Sequence, residues 1–427
     1  MDKLDAAAPA DAVVNGPEDA ALDWDAVDWR AVEDDVRRLR QRIFTASKAG
    51  DLKKVRNLQK LMLRSRANTL LGVRRVTELN AGRRTAGVDG QVALTPGDKA
   101  SLADWVQHHH GSWTPMPVRR VFIPKAKGRR ALGIPVIVDR CLQAVTVSAL
   151  EPEWEARFES RSYGFRPGRG CHDAIQAVFL TARGARCQRL WVLDADLAAA
   201  FDNLDHDHLL GMLGTFPARK MIGKWLRSGV LDQGHLAPTE RGSPQGGVAS
   251  PLLMNVALHG MEQAAGVRYI TTGANAGTAR PGSPVLIRYA DDLLVFCRSR
   301  QEAEQVKARL AGWLAPRGLA FNEDKTRITH LDEEGVDFLG YNVRRYHGKL
   351  LIKPSKAAIK RIRARLSAEM RALRGANAEA VLVAVGTALA SGPPHGSQRA
   401  ELPHWAPASG SGGEAHRREG MHHTGSW

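Results

Sequence analysis

The sequence has few cysteines and no long apolar run. Its four cysteines, among 427 residues, never form a C-x-x-C pair, which argues against a zinc ribbon or a zinc finger. So few thiols in so long a chain are typical of a reduced, cytoplasmic protein. No stretch of about 18 consecutive apolar residues occurs, so we expect no membrane-spanning helix.

The N-terminus lacks the features of a targeting segment. Lys3 stands among several acidic residues, and no apolar signal core follows it. These acidic residues also argue against a transit peptide. Because residues 1–22 are rich in Ala and Asp, we expect them to be a disordered leader.

Acidic residues are outnumbered by basic ones. The chain has 61 Lys and Arg against 45 Asp and Glu, a formal net charge of +16. Such an excess indicates a polyanionic partner, most often nucleic acid. Compositional drift toward Arg and Ala is the alternative explanation.

A basic helical segment follows the leader. Apolar residues at helical spacing predict one helix from Trp29 to Ala46 and a second from Asp51 to about Asn80. Basic residues crowd the remaining surface of the second helix. They would form either a solvated helix face or a surface for RNA phosphates, and the net charge favours RNA. We therefore assign residues 23–92 to an RNA-binding extension. Its candidate contacts are Lys53, Lys54, Arg56, Lys60, Arg64, Arg74 and Arg75.

Two aspartates interrupt the apolar stretch "VLIRYADDLLVFCRS". Asp291 and Asp292 would lie at the tip of a β-hairpin, where they repel each other unless a cation neutralises them. Asp196 ends another apolar strand, and if that strand lies beside the hairpin, three carboxylates converge at one sheet end. Such a set can hold two Mg²⁺ ions about 3.5–4 Å apart. A lone Asp pair is more simply a solvated turn, but the buried flanks and Asp196 favour the metal site.

The order of predicted elements indicates the fold class. Helices come first, then a basic-tipped hairpin over residues 118–140, a helix, a strand, further helices, the aspartate hairpin and short strands. Since helices and strands do not alternate one to one, we predict an α+β fold with helices packed on a mostly antiparallel sheet. Residues 387–427 have no periodicity, so we expect disordered or out-of-frame sequence there. A His-rich metal tract is the alternative, which the lack of fixed ligand spacing disfavours.

Several motifs together resemble reverse transcriptases, most closely the reverse transcriptase/maturases encoded by group II introns. They are, in order, "IPKAKGRRALGIP", "RSYGFRPGRGCHDAI", "DADLAAAFDNLDH", "SPQGGVASPLLMNVALHGME", "RYADD" and "NEDKTRITHLDEEGVDFLGYNV". The resemblance implies a right-hand polymerase fold, with fingers and palm over residues 93–345 and a partial thumb helix over residues 346–386. It also implies an RNA-directed DNA polymerase that uses Mg²⁺. Its implied partners are an intron RNA template, a DNA primer or target, and deoxynucleotides, with a family role in intron splicing and mobility.

The resemblance further implies roles for single residues. Asp196, Asp291 and Asp292 would be the catalytic, metal-binding aspartates, with Asp194 as a neighbour rather than a ligand. Phe201 would pack under the sugar and select deoxynucleotides. The residues that would bind the nucleotide are Lys125, Arg130, Phe201, Gln245, Gly246 and Lys325.

Each of these roles has a simpler alternative. Lys125 and Arg130 could be solvated charges at a hairpin tip. Gln245 could cap the next helix, and Phe201 could be ordinary core. The run of Asp and His at residues 205–208 is interpreted as a helix start, because acids there cap the helix and favour its dipole.

The chain also departs from the family pattern. Ala198 stands where the family usually has a basic residue, and Ala131 where it usually has proline. The complete thumb, the maturase domain and the HNH endonuclease domain are not recognisable after Gly386, so we expect a frameshifted, C-terminally truncated chain. An inactive RNA-binding remnant is therefore the alternative to an active polymerase. A reverse transcriptase of a defence or diversity-generating system is a third interpretation, which the family-like N-terminal segment "LQKLMLRSRANTLLGVRRVTELNAGRRTAGVDG" disfavours.

Overall fold

The computed structural model describes residues 22–109, 111–124, 129–375 and 377–390. Its helices are α1 (Trp29–Lys48), α2 (Leu52–Arg64), α3 (Arg66–Arg74), α4 (Pro96–His109), α5 (Ile137–Glu155), α6 (Cys171–Ala182), α7 (Ala200–Asn203), α8 (His206–Met212), α9 (Arg219–Leu226), α10 (Ser250–Ala257), α11 (Met261–Ala264), α12 (Arg300–Leu314), α13 (Lys356–Ala372) and α14 (Ala378–Ala390). Its strands are β1 (Val118–Pro124), β2 (Arg129–Ile134), β3 (Trp191–Asp196), β4 (Val230–Asp232), β5 (His235–Ala237), β6 (Val285–Tyr289), β7 (Asp292–Cys297), β8 (Arg327–His330), β9 (Val336–Phe338), β10 (Tyr341–Tyr346) and β11 (Lys349–Pro354).

The central sheet has the strand order β6-β7-β3-β8, and each pair of neighbours is antiparallel. Strand β3 lies inside the sheet because it is apolar on both faces, with Val192, Leu193 and Ala195 all buried. Helices cover this sheet, so the predicted α+β class with a mostly antiparallel sheet is confirmed.

Two apolar cores lie on opposite faces of the central sheet. Successive residues of a strand point to opposite faces, so Leu193 joins the larger core and Val192 the smaller one. The larger core also takes in α5, which is buried over nearly its whole length. The smaller core includes residues of α6, β9 and β10.

The predicted basic hairpin is confirmed as β1 and β2, which are antiparallel and place Phe122 opposite Ala131. Its predicted basic tip, at residues 125–128, lies outside the described residues. Strand β1 also pairs in parallel with β4, giving the sheet order β2-β1-β4-β5. The hairpin is therefore fixed at its base to the polypeptide that follows α9.

The prediction of one continuous helix from Asp51 to about Asn80 is wrong. The chain breaks at Ser65, whose ψ of 122° is extended, and its Oγ accepts a hydrogen bond from the Asn68 backbone N–H at 3.3 Å. Ser65 thus ends α2 and caps α3. The buried Asn68 side chain reinforces the break by donating to the carbonyls of Met62 and Val145. After α3 the chain continues as a π-helical turn, Arg75–Leu79.

Some predicted boundaries also need correction. Leu22, assigned to the leader, packs against the larger core. The boundary between residues 345 and 346 falls inside β10, and residues 387–390 belong to α14. Residues 1–21 and 391–427 lie outside the described ranges. The assignment of the remaining ranges to extension, fingers, palm and thumb stays a prediction.

Among the elements that were not predicted from the sequence are α4, α9, β4, β5 and β11. Strands β4 and β5 have three residues each, too few for an alternation to be recognised. Helix α4 mixes small and polar residues and has no clear apolar stripe. Strand β4 forms because the fold brings it beside β1 and β5, and no local pattern records that pairing.

All four cysteines lie in the described ranges and are free thiols. Among the described helices, none combines the length and the apolar character that a membrane crossing requires.

Candidate active site

The fold brings the two predicted groups of aspartates together. Strand β3 pairs with β7 so that Asp196 stands directly opposite Asp292. Strands β6 and β7 form the predicted hairpin, which closes at the pair Tyr289 and Asp292. Between them Ala290 adopts a left-handed φ of 57°, which makes the turn tight enough to carry Asp291 at its tip.

The alternation along β3 decides which carboxylates share a surface. Asp194 and Asp196 are two residues apart and therefore point to the same face. On the neighbouring strand the matching residues are Leu294 and Asp292. The sheet end thus carries Asp196 and Asp292 side by side, with Asp194 one step further in.

The acidic side chains raise one another's pKa. Partial burial, together with the charges of Asp291, Asp196 and Asp194, raises the pKa of Asp292 to about 7. Burial is also the main reason why the pKa of Asp291 is raised. Burial raises the pKa of Asp194 to about 7 despite the opposing charge of Arg327. A site of this kind favours a bound cation, because a positive charge removes the repulsion.

Lys325 supplies one such charge. Its Nζ donates to Asp196 Oδ2 at 2.5 Å, and this hydrogen bond raises the pKa of the lysine. The backbone anchors the same region, because the Asn322 N–H donates to the Asp196 carbonyl at 2.8 Å. The predicted site residue Lys325 therefore does reach the aspartates.

The donor set suits a hard divalent ion in kind, since all its atoms are carboxylate oxygens. Within the part of the chain that the structure describes, however, no group of three or more Asp, Glu, His or Cys side chains is assembled for metal binding. The ammonium of Lys325 is the cation that Asp196 contacts instead. The metal-binding role of Asp196, Asp291 and Asp292 stays a prediction.

Two predicted nucleotide-binding residues contact each other. Arg130, on the hairpin strand β2, donates from Nε to Gln245 Oε1 at 2.7 Å. The Gln245 carbonyl accepts from the Gly133 N–H of the same strand at 2.8 Å. The charge of Arg130 partly offsets the rise in the pKa of Asp291, so the β1–β2 hairpin lies close to the turn that carries Asp291.

Gly246 is required by this close approach. Its φ is +125°, and a Cβ there would lie 2.8 Å from the Gly133 carbonyl oxygen. A side chain at Gly246 would therefore push the hairpin away. The resemblance had implied a nucleotide-binding role for Gly246, and the structure adds a close approach to strand β2.

The Arg130–Gln245 contact gives a testable prediction. We expect Arg130→Ala and Gln245→Ala each to raise the KM for the nucleotide, and the double variant to be no worse than the poorer single one. The reason is that each residue orients the other, with a coupling of roughly 0.5–1 kcal/mol. Single-nucleotide incorporation would measure it. Fully additive losses would show that the two side chains act separately.

Phe201, the residue predicted to pack under the sugar, is buried beside the loop that carries Gln245. Phe201 is 6% exposed, and its ring packs edge-on against Phe165 at 6.2 Å between centroids. Its carbonyl accepts from the Ser243 N–H at 2.6 Å, which ties it to the loop that carries Gln245. Lys125 lies outside the described residues.

The proposed RNA-binding residues fall into two groups. Arg74 is committed within the protein, since it pairs with Glu33 and Glu78 and stacks on the Trp29 ring. Its assignment as a phosphate contact is therefore not supported by its environment. The others are exposed, with the Arg56 guanidinium donating to Thr215 at 2.7 Å. They are Lys53, Lys54, Arg56, Lys60, Arg64 and Arg75.

The acidic and His residues at 205–208 form a helix start, as predicted. The Asp205 carboxylate accepts from the His208 N–H at 2.7 Å and caps α8. His206 is buried, with Nε2 lying 2.6 Å from the Gly242 carbonyl, so this nitrogen carries the proton.

Sequence reasoning missed the residue that holds the turn carrying Asp291. Arg288 is 1% exposed and lies three residues before Asp291. Its Nη1 donates to the Ala290 carbonyl and to Asn255 Oδ1, both at 2.9 Å, and its Nη2 donates to Ser162 Oγ at 2.6 Å. The guanidinium therefore fixes the peptide that leads directly into Asp291.

A second layer completes this support. The Asn255 amide donates to the Gly164 carbonyl at 2.8 Å. Gly164 must be glycine, because a Cβ there would lie 2.3 Å from the Ala290 nitrogen. The charge of Glu159 opposes the effect of burial, which lowers the pKa of Arg288 to about 10. The only sequence signal was an arginine inside an otherwise apolar strand.

Comparison with known families identifies the class. The family described as "Reverse transcriptase (RNA-dependent DNA polymerase)" matches residues 123–343, and "N-terminal domain of reverse transcriptase" matches residues 24–106. Because the first match covers about half of the chain, this chain belongs to the reverse transcriptase family, and its fold is the reverse transcriptase fold. The predicted resemblance is confirmed.

Individual relatives agree. Protein YkfC of Escherichia coli is 34% identical over 64% of this chain and 79% of its own. Group II intron-encoded protein LtrA of Lactococcus lactis is 28% identical over 55% of this chain, and maturase-like protein 1 of Euglena gracilis 25% identical over 72%. The matches cover 48% of LtrA and 62% of the Euglena protein. These names support a reverse transcriptase/maturase of the group II intron kind.

Proposed function

We propose that this chain copies RNA into DNA by adding deoxynucleotides to a primer 3′-hydroxyl on an RNA template. The observation that carries the proposal is the register that sets Asp196 opposite Asp292, next to Asp291, at one end of the central sheet. Membership of the reverse transcriptase family supports the same reaction.

Asp196, Asp291 and Asp292 would hold the divalent ions that reverse transcriptases use. We propose two Mg²⁺ ions, since oxygen-only ligands suit this cation. When bound, such ions polarise the reacting phosphate and lower the pKa of the attacking hydroxyl. Lys325 would neutralise Asp196 before the site is loaded, because its ammonium already contacts that carboxylate.

The remaining residues would orient the nucleotide. Arg130, and Lys125 beyond the described part of the hairpin, would each pair with a phosphate charge. Gln245 and Gly246 would form the surface beneath the nucleotide, with Gln245 held in place by Arg130. Phe201 would close the space around the sugar 2′-position and so exclude ribonucleotides.

The exposed basic residues of α2 would bind the RNA template through its phosphates. We extend this to intron RNA, and to a role in splicing and mobility with a DNA primer or target. The support is that relatives carry the names "group II intron-encoded protein" and "maturase-like protein".

An inactive RNA-binding remnant is a second candidate. One observation that favours it is the contact of Lys325 with Asp196, which occupies a proposed metal ligand. The other is that the described Asp, Glu, His and Cys side chains include no set of three placed to hold a metal ion. The exposed basic surface of α2 would still bind RNA in such a protein.

Primer extension separates the two candidates. The assay would use a DNA primer on an RNA template with Mg²⁺ and deoxynucleotides, and Asp291→Ala as the matched inactive variant. We expect extension by the wild type only, and equal RNA binding by both proteins. If the wild type makes no more product than Asp291→Ala, the polymerase proposal is wrong, and retained RNA binding would then support the remnant.

A further inference from the structure

A second polar cavity lies at the far end of the central sheet from the aspartates. It has a volume of about 360 Å³ and opens beside the start of β3 and the residue that follows β7. We call it the arginine pocket, after Arg183, Arg186, Arg189 and Arg298, which line it together with Thr181 and Gln188.

The charge of this pocket is of one sign. None of the described residues that line it is acidic. An acid, Glu302, lines the adjoining cavity, and its carboxylate accepts from the Arg298 backbone N–H at 2.7 Å. Four guanidinium groups around one cavity make a concentrated positive potential that attracts anions.

Part of the pocket is held in place. Arg189 donates from Nε to the Ser283 carbonyl at 2.9 Å and from Nη2 to the Arg280 carbonyl at 2.8 Å. Arg183 lies over the Phe179 ring, 5.7 Å from its centroid. Arg183, Arg186 and Arg298 are all exposed. A ligand would therefore meet one cation fixed by two hydrogen bonds and three that can adjust to it.

We propose that the arginine pocket binds the phosphate backbone of RNA, at a site separate from catalysis. Guanidinium forks match phosphate oxygens, and a lining without an aromatic slot suits backbone contact rather than base readout. Strand β3 has six residues, which at about 3.3 Å each separate the pocket from Asp196 by roughly 15–20 Å. This proposal depends on the proposed function for one point only, namely that the nucleic acid bound is RNA.

The test compares two triple variants of the full chain. One carries Arg183→Gln, Arg186→Gln and Arg298→Gln, and leaves Arg189 with its carbonyl contacts. The matched control removes the same charge from exposed arginines outside the N-terminal extension that already pair with neighbouring acids, through Arg157→Gln, Arg227→Gln and Arg300→Gln. The probe is a single-stranded RNA of about 40 nucleotides, titrated at several salt concentrations.

We expect the pocket variant to bind this RNA about tenfold more weakly. We also expect its slope of log Kd against log salt to fall by about 2, since each lost single-strand phosphate contact removes about 0.7. The control should change the Kd by less than about twofold. Equal losses in the two triple variants would mean a diffuse charge effect and would overturn the site.

The polymerase proposal can fail independently. Primer extension on a template–primer too short to reach the pocket should be the same, within about twofold, for the pocket variant and the wild type. Absence of extension in the wild type counts against the polymerase alone. An unchanged salt slope in the pocket variant counts against the arginine pocket alone, because it is measured without nucleotides or catalysis.

Discussion

Replacing Asp196 with asparagine should reduce nucleotide incorporation by roughly a thousandfold or more. This residue ends β3 opposite Asp292 and contacts Lys325, so its carboxylate lies at the centre of the proposed metal site. An amide removes its charge while keeping its shape. Rapid-quench incorporation of one nucleotide would measure the loss.

Asp194 offers the matched control on the same strand face. Its pKa is raised to about 7, so at neutral pH it is already protonated in part, and Asp194→Asn resembles that state. We expect a loss of less than about tenfold, from the changed charge near Asp196. If the two variants lose activity equally, Asp194 is also a ligand. A small loss in Asp196→Asn would contradict the proposed site.

Arg288→Met should lower the free energy of unfolding by about 3–5 kcal/mol. The change leaves Asn255, Ser162 and the Ala290 carbonyl without their donor, and removes one of the two arginine charges that act on Glu159. Because the guanidinium holds the peptide before Asp291, the molecules that remain folded should also be less active. Chemical unfolding would measure the first effect, and single-turnover activity per folded molecule the second.

Arg345 provides a control that distinguishes a role of Arg288 in positioning Asp291 from a general effect on stability. It is also buried, at 3% exposed, and donates to the carbonyls of Gly184 and Gly348, away from the turn that carries Asp291. Arg345→Met should destabilise the protein without changing activity per folded molecule. Amide hydrogen exchange at residues 290–292, in metal-free protein, should speed up in Arg288→Met only. Equal effects of both variants would show that Arg288 is merely structural.

Arg288→Lys refines the same test. Lysine keeps the charge but has one nitrogen where arginine uses two to reach three acceptors. We expect it to recover part of the stability and less of the activity. Full recovery of both would mean that charge alone, rather than the forked geometry, supports the turn.

The sequence predicted what depends on short-range pattern. The aspartate hairpin could be recognised because two apolar runs flank a tight turn, and β3 because its apolar residues stop at Asp196. The basic hairpin followed from its alternation, and the capping of α8 from Asp205. In each case the evidence lies within one short, continuous segment of chain.

The tertiary structure decided whatever depends on residues far apart in the chain. The break at Ser65 is secured by the Asn68 amide, which also donates to Val145 of another helix, so the local period of α2 could not reveal it. The sequence alone predicted Arg74 to be a phosphate contact, because it could not show that Glu33 lies beside Arg74 in the fold.

The same distinction applies inside the site. The sequence by itself named Asp196, Asp291 and Asp292, because carboxylates in buried strands need a charge partner. Only the fold placed Asp196 opposite Asp292 and brought Asn255 and Ser162 to Arg288. Strand pairing and buried hydrogen bonds join residues that are dozens to more than a hundred positions apart, and no local pattern records which partners will meet.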